Sequence, residues 1–199
     1  MRTMKNIAVL VSGGGTNFQA LIDAEQNGII KSGHIKLCIS SSKLAYALER
    51  AKNNGIKAEV IRTRDFSSRD AFDKAMIKVL EENEIDLIVL AGYLNILSKE
   101  LTDKYPNRII NIHPSLIPSF CGEGFYGLKV HEEALKYGVK VTGATVHYVN
   151  DVVDGGNIIM QRAVYVKEGD TPEILQKRVM EEAEWKILPE ATEMVCKNL

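Results

Sequence analysis

Asn111 and His113 stand two residues apart, just before Pro114, and together they offer an amide and an imidazole to one place. The run 109–112 is short, apolar and β-branched, which predicts a strand buried on both faces. Pro114 ends this strand, because it lacks an N–H and fixes φ. Side chains two apart on a strand point to the same side. An amide that donates hydrogen bonds and an imidazole that exchanges protons are therefore expected in one crevice.

A third candidate group is the carboxylate of Asp154, which follows the predicted strand 139–149 in an acidic turn ending in two glycines. Paired glycines permit close approach of the backbone. A carboxylate beside His113 would favour the imidazolium form of the ring. Each residue also has an ordinary structural interpretation: Asn111 as a strand-end hydrogen bonder, His113 as a satisfied structural histidine and Asp154 as a turn former. The residue types alone leave this choice open.

A glycine-rich loop near the start of the chain suggests a second chemistry. Residues 13–17 read Gly-Gly-Gly-Thr-Asn, between an apolar run at 6–12 and a helical pattern at 18–28. Glycines let the backbone turn with its N–H groups exposed, and a helix N-terminus carries partial positive charge, so the loop favours a phosphate. There is no G-K-[ST] motif, and Phe18 replaces the third glycine of a dinucleotide fingerprint. These features favour a phosphate monoester over NAD, and a simple tight turn is the alternative.

A sheet must position these groups. Apolar runs alternate with helical patterns, which predicts parallel strands joined by right-handed crossovers. Seven strands are predicted, at residues 6–12, 35–42, 58–61, 86–91, 109–112, 139–149 and 158–166. The last two should form an antiparallel hairpin joined to the parallel sheet. Ligands of such sheets bind beyond the carboxyl ends of the strands, where the glycine loop, the Gly92 turn and Asn111 with His113 should meet.

Two later segments complete the predicted organisation. The loop 119–127 carries three glycines and three aromatic residues, so it is either a mobile flap over the site or an ordinary surface crossing. The last helix should begin at Thr171, because a capping threonine is followed by Pro172 at the first helical position and by an early acid. Its predicted buried stripe is Leu175, Val179, Ala183 and Ile187.

Composition limits the class of protein. The 199 residues, 45% of them hydrophobic, suffice for one α/β domain. The 25 basic and 26 acidic residues give a net charge of -1, which argues against a nucleic-acid partner. The apolar run at 7–11 is too short for a membrane span or a signal peptide, so we expect no membrane partner and a cytoplasmic location. Three widely spaced cysteines without C-x-x-C argue against disulfides and a metal site.

Five motifs follow one another along nearly the whole chain: Ser12-Gly13-Gly14-Gly15-Thr16-Asn17, Ala91-Gly92-Tyr93, Asn111-Ile112-His113-Pro114-Ser115-Leu116-Ile117-Pro118, Gly143-Ala144-Thr145-Val146-His147 and Asp154-Gly155-Gly156. Together they resemble the phosphoribosylglycinamide formyltransferase family, the folate-dependent formyltransferases of purine synthesis. The resemblance implies a Rossmann-like formyltransferase fold: a mostly parallel twisted sheet, helices on both faces and a C-terminal antiparallel hairpin. It implies one domain, 1–199, with a phosphate-binding half at about 1–107 and a catalytic and folate-binding half at about 108–199.

The resemblance also assigns an activity and residues. It implies transfer of the formyl group of 10-formyltetrahydrofolate, a cosubstrate, to the amine of glycinamide ribonucleotide, without a metal. The catalytic residues would be Asn111, His113 and Asp154. The ribonucleotide would be bound by Gly14, Gly15, Thr16, Asn17, Pro114 and Glu184. The folate would be bound by Arg69, Leu94, Asn95, Ile96, Leu97, Val149, Asn150 and Asp151. Asn111 and protonated His113 would donate to the oxyanion, and Asp154 would help to move the amine proton.

Three alternatives remain. A formyltetrahydrofolate deformylase shares the fold, but Pro114 stands where its second histidine is expected. A formyltransferase of initiator tRNA should carry a basic C-terminal domain, whereas this sequence ends soon after its last predicted helix. A phosphate- or nucleotide-binding regulatory module would have a dead site, against which the intact set of Asn111, His113 and Asp154 argues. We expect small-molecule substrates as partners, and a monomer or homodimer.

Overall fold

The fold is one seven-stranded sheet covered by helices. The computed structural model describes residues 4–199, so the first three residues of the predicted domain lie outside the described part. The strands are β1 (Lys5–Val11), β2 (Gly33–Ser40), β3 (Lys57–Val60), β4 (Leu87–Leu90), β5 (Ile109–His113), β6 (Val141–Tyr148) and β7 (Ile158–Tyr165). The α-helices are α1 (Thr16–Gln26), α2 (Ala47–Asn53), α3 (Arg69–Glu82), α4 (Lys99–Lys104), α5 (Leu128–Tyr137), α6 (Pro172–Val179) and α7 (Trp185–Asn198).

The strand order is β3-β2-β1-β4-β5-β6-β7. Strands β1 to β5 are parallel, whereas β6 is antiparallel to β5 and β7 is antiparallel to β6. The predicted mostly parallel sheet with a C-terminal antiparallel hairpin is therefore confirmed. Because β1 pairs with both β2 and β4, the loops after β1 and β4 leave the sheet in different directions at the point where such folds bind ligands. The N–H of Ser12 donates to the carbonyl of Gly92 at 3.1 Å and joins these two loops.

Two apolar layers attach the helices to the sheet. One layer is formed by buried side chains of α1, α6 and α7, among them Phe18, Leu21, Leu175 and Leu188. The opposite layer is formed by side chains of α3 and α4, among them Phe72, Met76, Leu80 and Leu101. Strand β5 sends Ile110 and Ile112 into the first layer and Ile109 into the second. Side chains at alternate positions therefore leave Asn111 and His113 together on one side, as the two-residue spacing predicts.

Helix α1 begins differently from helices with a capping side chain. Ser68, Ser98 and Thr171 accept hydrogen bonds from the backbone N–H groups three residues ahead, and so begin α3, α4 and α6. Helix α1 instead follows Gly15 in the left-handed region (φ 69°), with no side-chain cap and no acid in its first turn. Its first N–H groups have no intrahelical acceptor. The helix N-terminus after the glycine loop can therefore accept an external anion.

Two helical features differ from the sequence-based prediction. Helix α4 was not predicted, because its six residues are too short to carry a periodic pattern. The last helix is not continuous: a π-helical turn at Met180–Glu184 separates α6 from α7. The predicted stripe of Leu175, Val179, Ala183 and Ile187 is nevertheless buried. Single π-turns are frequent at functional sites, and this one carries Glu184 into the cleft described below.

Candidate active site

A cleft of about 720 Å³ opens at the carboxyl ends of β1, β4 and β5. Its walls come from the turn after β4, the end of β5, the loop before α5, the turn after β6, and α6 with the π-turn. Segments that are far apart in sequence therefore meet at one place. This is the position at which an open α/β sheet is expected to bind ligands.

Asn111 is held in the cleft by His147. The two residues are opposite each other in the antiparallel pairing of β5 with β6, and Asn111 Nδ2 lies 3.1 Å from His147 Nε2. His147 Nδ1 lies 2.8 Å from the carbonyl oxygen of Tyr148. Because a carbonyl only accepts, Nδ1 of His147 carries a proton, and Nε2 accepts from Asn111 whenever it carries none. One amide N–H of Asn111 is thereby fixed, and the second is available to a ligand.

Asp154 lies between the two histidines of the cleft. Its Oδ2 is 3.5 Å from His113 Nδ1, and its Oδ1 is 3.5 Å from His147 Nε2. The backbone of Asp154 has φ 54°, a left-handed conformation that Asp adopts more readily than most residues. Burial acts to raise the pKa of this carboxyl, but the side chain of His147, the charge of His113 and the N–H of Gly122 outweigh it and lower the pKa. Asp154 is therefore ionised at neutral pH.

His113 has a hydrogen-bond acceptor beside each ring nitrogen. Its Nε2 lies 2.8 Å from the carbonyl oxygen of Phe120, and its Nδ1 faces Asp154. A neutral ring has one proton and can satisfy only one of these acceptors, whereas imidazolium satisfies both. Burial nevertheless lowers the pKa of His113, while Asp154 and the Phe120 carbonyl act in the opposite direction. Burial outweighs the carboxylate, so the imidazolium form expected from the sequence is not favoured by these surroundings.

The loop 119–127 contacts the catalytic candidates through its backbone. In addition to the Phe120 carbonyl on His113, the N–H of Gly122 donates to Asp154 Oδ2 at 2.9 Å. Residues 122–127 line the cleft, and the ring of Phe120 packs edge-on against Tyr137 of α5. The start of the loop is held by Ser115, whose buried hydroxyl donates to the carbonyl of Ser119 at 2.5 Å.

A buried carboxyl marks one end of the cleft. Asn17, in the first turn of α1, donates from Nδ2 to Glu184 Oε2 at 2.6 Å, and both residues line the cleft. Burial raises the pKa of Glu184 to about 7, although the Asn17 hydrogen bond acts to lower it. The hydroxyl of Thr16 points to the sulfur of Met180 at 3.8 Å. The uncapped start of α1 and the partly protonated carboxyl of Glu184 are thus neighbours, and they form the polar end of the cleft.

The other end of the cleft is apolar and open. The side chains of Leu94 and Ile96 are 61% and 57% exposed on one side of the mouth, and Val152 and Val153 are 59% and 38% exposed on the other. Apolar side chains this exposed at the mouth of a cleft indicate a ligand with an apolar part. The guanidinium of Arg69 donates to the carbonyl of Ile96 at 2.5 Å and to Asp73. Arg69 thereby supports the turn that forms one side.

Most of the residues assigned by sequence line this one cleft: Asn17, Leu94, Asn95, Ile96, Leu97, Asn111, His113, Pro114, Val149, Asn150, Asp151, Asp154 and Glu184. Four do not line it. Gly14 and Gly15 lie in the loop that leads to Asn17, which lines the cleft. Thr16 lines a separate cavity of about 320 Å³ beside Arg50 and Trp185. Arg69 lines an adjoining cavity, which shares Leu94, Asn95 and Ile96 with the cleft.

Two histidines of the cleft, His131 and His147, were absent from the residues assigned by sequence. His147 could have been inferred, since the predicted strand 139–149 pairs with the strand that carries Asn111. Among residues 4–199, no group of three or more His, Cys, Asp and Glu side chains is arranged to hold a metal ion. Within the same range, no helix has the length and apolar character needed to cross a membrane.

Comparisons with known proteins agree on one family. The profile of a family described as formyl transferase matches residues 5–192. The human trifunctional purine biosynthetic protein adenosine-3 is 46% identical over 192 residues, which are 96% of this chain and 18% of that protein. The phosphoribosylglycinamide formyltransferase of Escherichia coli K12 is 40% identical over 174 residues, 87% of this chain and 79% of that protein. The crystal structure of glycinamide ribonucleotide transformylase 1 from Symbiobacterium toebii has a TM-score of 0.92 at 43% identity, covering 100% of this chain and 90% of that one.

Proposed function

This chain belongs to the formyl transferase family, and on that premise we propose that it transfers the formyl group of 10-formyltetrahydrofolate to the amine of glycinamide ribonucleotide. The products are formylglycinamide ribonucleotide and tetrahydrofolate. The observation that carries the proposal is the network of Asn111, His147, Asp154 and His113, which lies between a polar end and an apolar end of one cleft. A phosphorylated acceptor and a flat apolar donor can meet at this network.

The reaction needs an oxyanion site and a route for protons. The neutral amine attacks the formyl carbon, the carbonyl oxygen becomes an oxyanion, and the C–N bond to the folate then breaks. The free N–H of Asn111 and the N–H of His113 donate to that oxyanion, and such donors contribute about 10²–10³ in rate each. The amine loses a proton and the departing folate nitrogen gains one. Asp154 with His113 assists this transfer, directly or through water.

His113 can act only after its contact with the loop is broken. The proton on Nε2 is engaged by the Phe120 carbonyl. An oxyanion in place of that carbonyl is a stronger acceptor, because hydrogen bonds to ionised groups are about twice as strong as neutral ones. A negative charge beside the ring also raises the pKa of His113, which burial had lowered. The transition state thus favours the imidazolium form of His113, which burial alone disfavours.

The ribonucleotide occupies the polar end in this proposal. Its phosphate binds the glycine loop and the uncapped start of α1, with the backbone N–H groups of Gly14, Gly15, Thr16 and Asn17 as donors. The side chain of Asn17 is engaged by Glu184, so its contribution to the phosphate is limited to the backbone. Glu184 accepts from the ribose hydroxyls, and Pro114 contacts the glycinamide. The phosphate-binding half at about 1–107 and the catalytic half at about 108–199 remain a proposed division.

The folate occupies the apolar end. Its pterin ring enters between the turn 94–97 and the backbone of Val149, Asn150 and Asp151, and its benzoyl group lies between the exposed side chains of the mouth. Arg69 lies in the adjoining cavity, where it can meet the glutamate carboxylates of the folate tail. The family acts on small molecules, and the predictions of no nucleic-acid partner, a monomer or homodimer and a cytoplasmic location remain predictions.

A paired assay tests the proposal. The purified protein is given 10-formyltetrahydrofolate with and without glycinamide ribonucleotide, and the folate product is followed by absorbance. We expect turnover that requires the ribonucleotide, and a loss of about 10²–10³ in kcat for Asn111→Ala and for His113→Ala. Equal turnover without the ribonucleotide would indicate a deformylase. Ribonucleotide binding without turnover would indicate the regulatory module.

A further inference from the structure

His131 is a buried histidine without a partner in the wall of the cleft. It lies in the second turn of α5, with 1% of its surface exposed, and it lines the cleft. Neither Nδ1 nor Nε2 has a hydrogen-bond partner among residues 4–199. The other histidines of the cleft, His113 and His147, have partners at both nitrogens.

The imidazole ring of His131 is uncharged at neutral pH. Burial lowers its pKa to about 4, and the neighbouring His113 contributes to the shift. At neutral pH the ring therefore has one N–H donor and one nitrogen acceptor. Leaving such groups buried and unpaired costs free energy that an apolar side chain of similar size would avoid. An unpaired imidazole in the wall of a cleft indicates that its partner is a ligand.

The position of His131 indicates which part of a ligand it meets. It is close enough to His113 for the two rings to influence each other, so it is near the reaction centre. Helix α5 also packs against α6, which brings Gln176 to the cleft and leads to Met180 and Glu184. His131 thus lines the cleft near His113, on the helix that packs against the helix leading to Glu184. In the proposed function the ribonucleotide reaches from Glu184 to His113, so its glycinamide arm is the part that would pass this wall.

We propose that His131 binds the amide of the glycinamide arm and so selects the acceptor. This inference rests on the proposed function. The amide has one N–H and one carbonyl, and either group pairs with a neutral imidazole. His131 contacts the substrate next to the reacting amine, and it does not exchange the amine proton itself, because its basicity is too low. Its contribution is therefore acceptor affinity and alignment.

The test measures binding by calorimetry without folate, using glycinamide ribonucleotide and ribose 5-phosphate, which lacks the arm. The variants are His131→Leu, which is apolar, and His131→Gln, which keeps a donor and an acceptor. The matched control is His34→Gln, an exposed histidine paired with Glu25. We expect His131→Leu to raise the Kd of glycinamide ribonucleotide about tenfold, with the Kd of ribose 5-phosphate within about twofold of the parent. His131→Gln should recover most of the loss.

A thermal melt distinguishes a functional histidine from a structural one. If the ligand is the missing partner, His131→Leu should melt at the same temperature as the parent or higher, because it removes buried polar groups that lack partners. An unchanged Kd for glycinamide ribonucleotide in His131→Leu would overturn the inference while leaving the formyl transfer proposal intact. An equal loss for both ligands would also overturn it. A parent that does not bind glycinamide ribonucleotide would instead overturn the proposed function.

Discussion

Replacement of Asp154 by asparagine removes one negative charge from the centre of the network and changes little else. The amide oxygen of the introduced side chain can still accept from the N–H of Gly122, which donates at 2.9 Å to the native carboxylate. What disappears is the attraction between the carboxylate and the imidazolium that His113 forms during the reaction, since His113 Nδ1 lies 3.5 Å from Asp154 Oδ2. The side chain of Asp154 is 10% exposed, so solvent screens the pair only in part.

The magnitude follows from this distance. Two unit charges about 4 Å apart attract by about 4 kcal/mol at an effective dielectric constant near 20. This free energy corresponds to about 10³ in the population of imidazolium at His113. Residual solvent reduces the value, so we expect kcat of Asp154→Asn to fall by about 10²–10³ at pH 7.5.

The pH dependence has a defined sign. Asp154 raises the pKa of His113 against the effect of burial, so its removal lowers that pKa further. Activity that needs the imidazolium falls as pH rises through the pKa of His113. The variant should therefore lose activity at lower pH than the parent. As pH is lowered from 8 to 5, the ratio of the parent kcat to the variant kcat should fall towards one. Asp154 stays ionised in the parent over this range, because His147, His113 and the Gly122 N–H hold its pKa below the ordinary value of an aspartate.

The assay is a kcat profile for the parent, for Asp154→Asn and for the control Asp103→Asn. Asp103 is an exposed residue of α4 paired with Lys99, so the control should stay within about twofold of the parent. Circular dichroism verifies that each variant is folded. A kcat ratio that is constant across pH, or a loss of only a few-fold at pH 7.5, would refute the reasoning.

Three further predictions concern the ends of the cleft and the fold. Glu184 has a pKa raised from 4.5 to about 7, so the protein without ligands should lose stability as pH rises through this window. Glu184→Gln should raise the free energy of unfolding by about 3 kcal/mol at pH 8 and should leave it unchanged below pH ~4.5. Urea denaturation at the two pH values measures the difference. Arg69→Ala should raise the KM for 10-formyltetrahydrofolate polyglutamate about tenfold with kcat nearly unchanged, and an equal effect on the monoglutamate would argue against a contact with the tail. Gly156→Ala should be strongly destabilised in a thermal melt, because an added Cβ would overlap the carbonyl of Tyr148, whereas a parent-like melting temperature would contradict this account of the turn.

Regular elements explain why much of the site could be predicted from sequence. The two-residue period of β5 places Asn111 with His113, and the parallel order of the sheet brings the turns after β1 and β4 to the same edge. The Asp154 turn follows from the hairpin of β6 and β7. In each case the position depends on secondary structure, which local patterns indicate.

Features that depend on tertiary contacts could not be predicted. The Phe120 carbonyl reaches His113 through an irregular loop, and no side-chain pattern reports where a loop carbonyl points. The π-turn that carries Glu184 has no sequence signal distinct from an ordinary helix. The protonation of His113 depends on how far burial outweighs Asp154, which only the packed structure reveals. His131 falls on the buried face of α5 beside Val130 and Ala134, so its sequence pattern is that of a core residue.

The most direct test of the central claim follows the formyl carbon itself. The protein is incubated with 10-formyltetrahydrofolate labelled with ¹³C in the formyl group, together with glycinamide ribonucleotide, and the label is observed by NMR. The cleft with Asn111, His113 and Asp154 between its two ends predicts that the label appears as the formyl amide of the ribonucleotide, at a rate that His113→Ala lowers by about 10²–10³. Label that appears as free formate, at the same rate with or without the ribonucleotide, would contradict direct transfer.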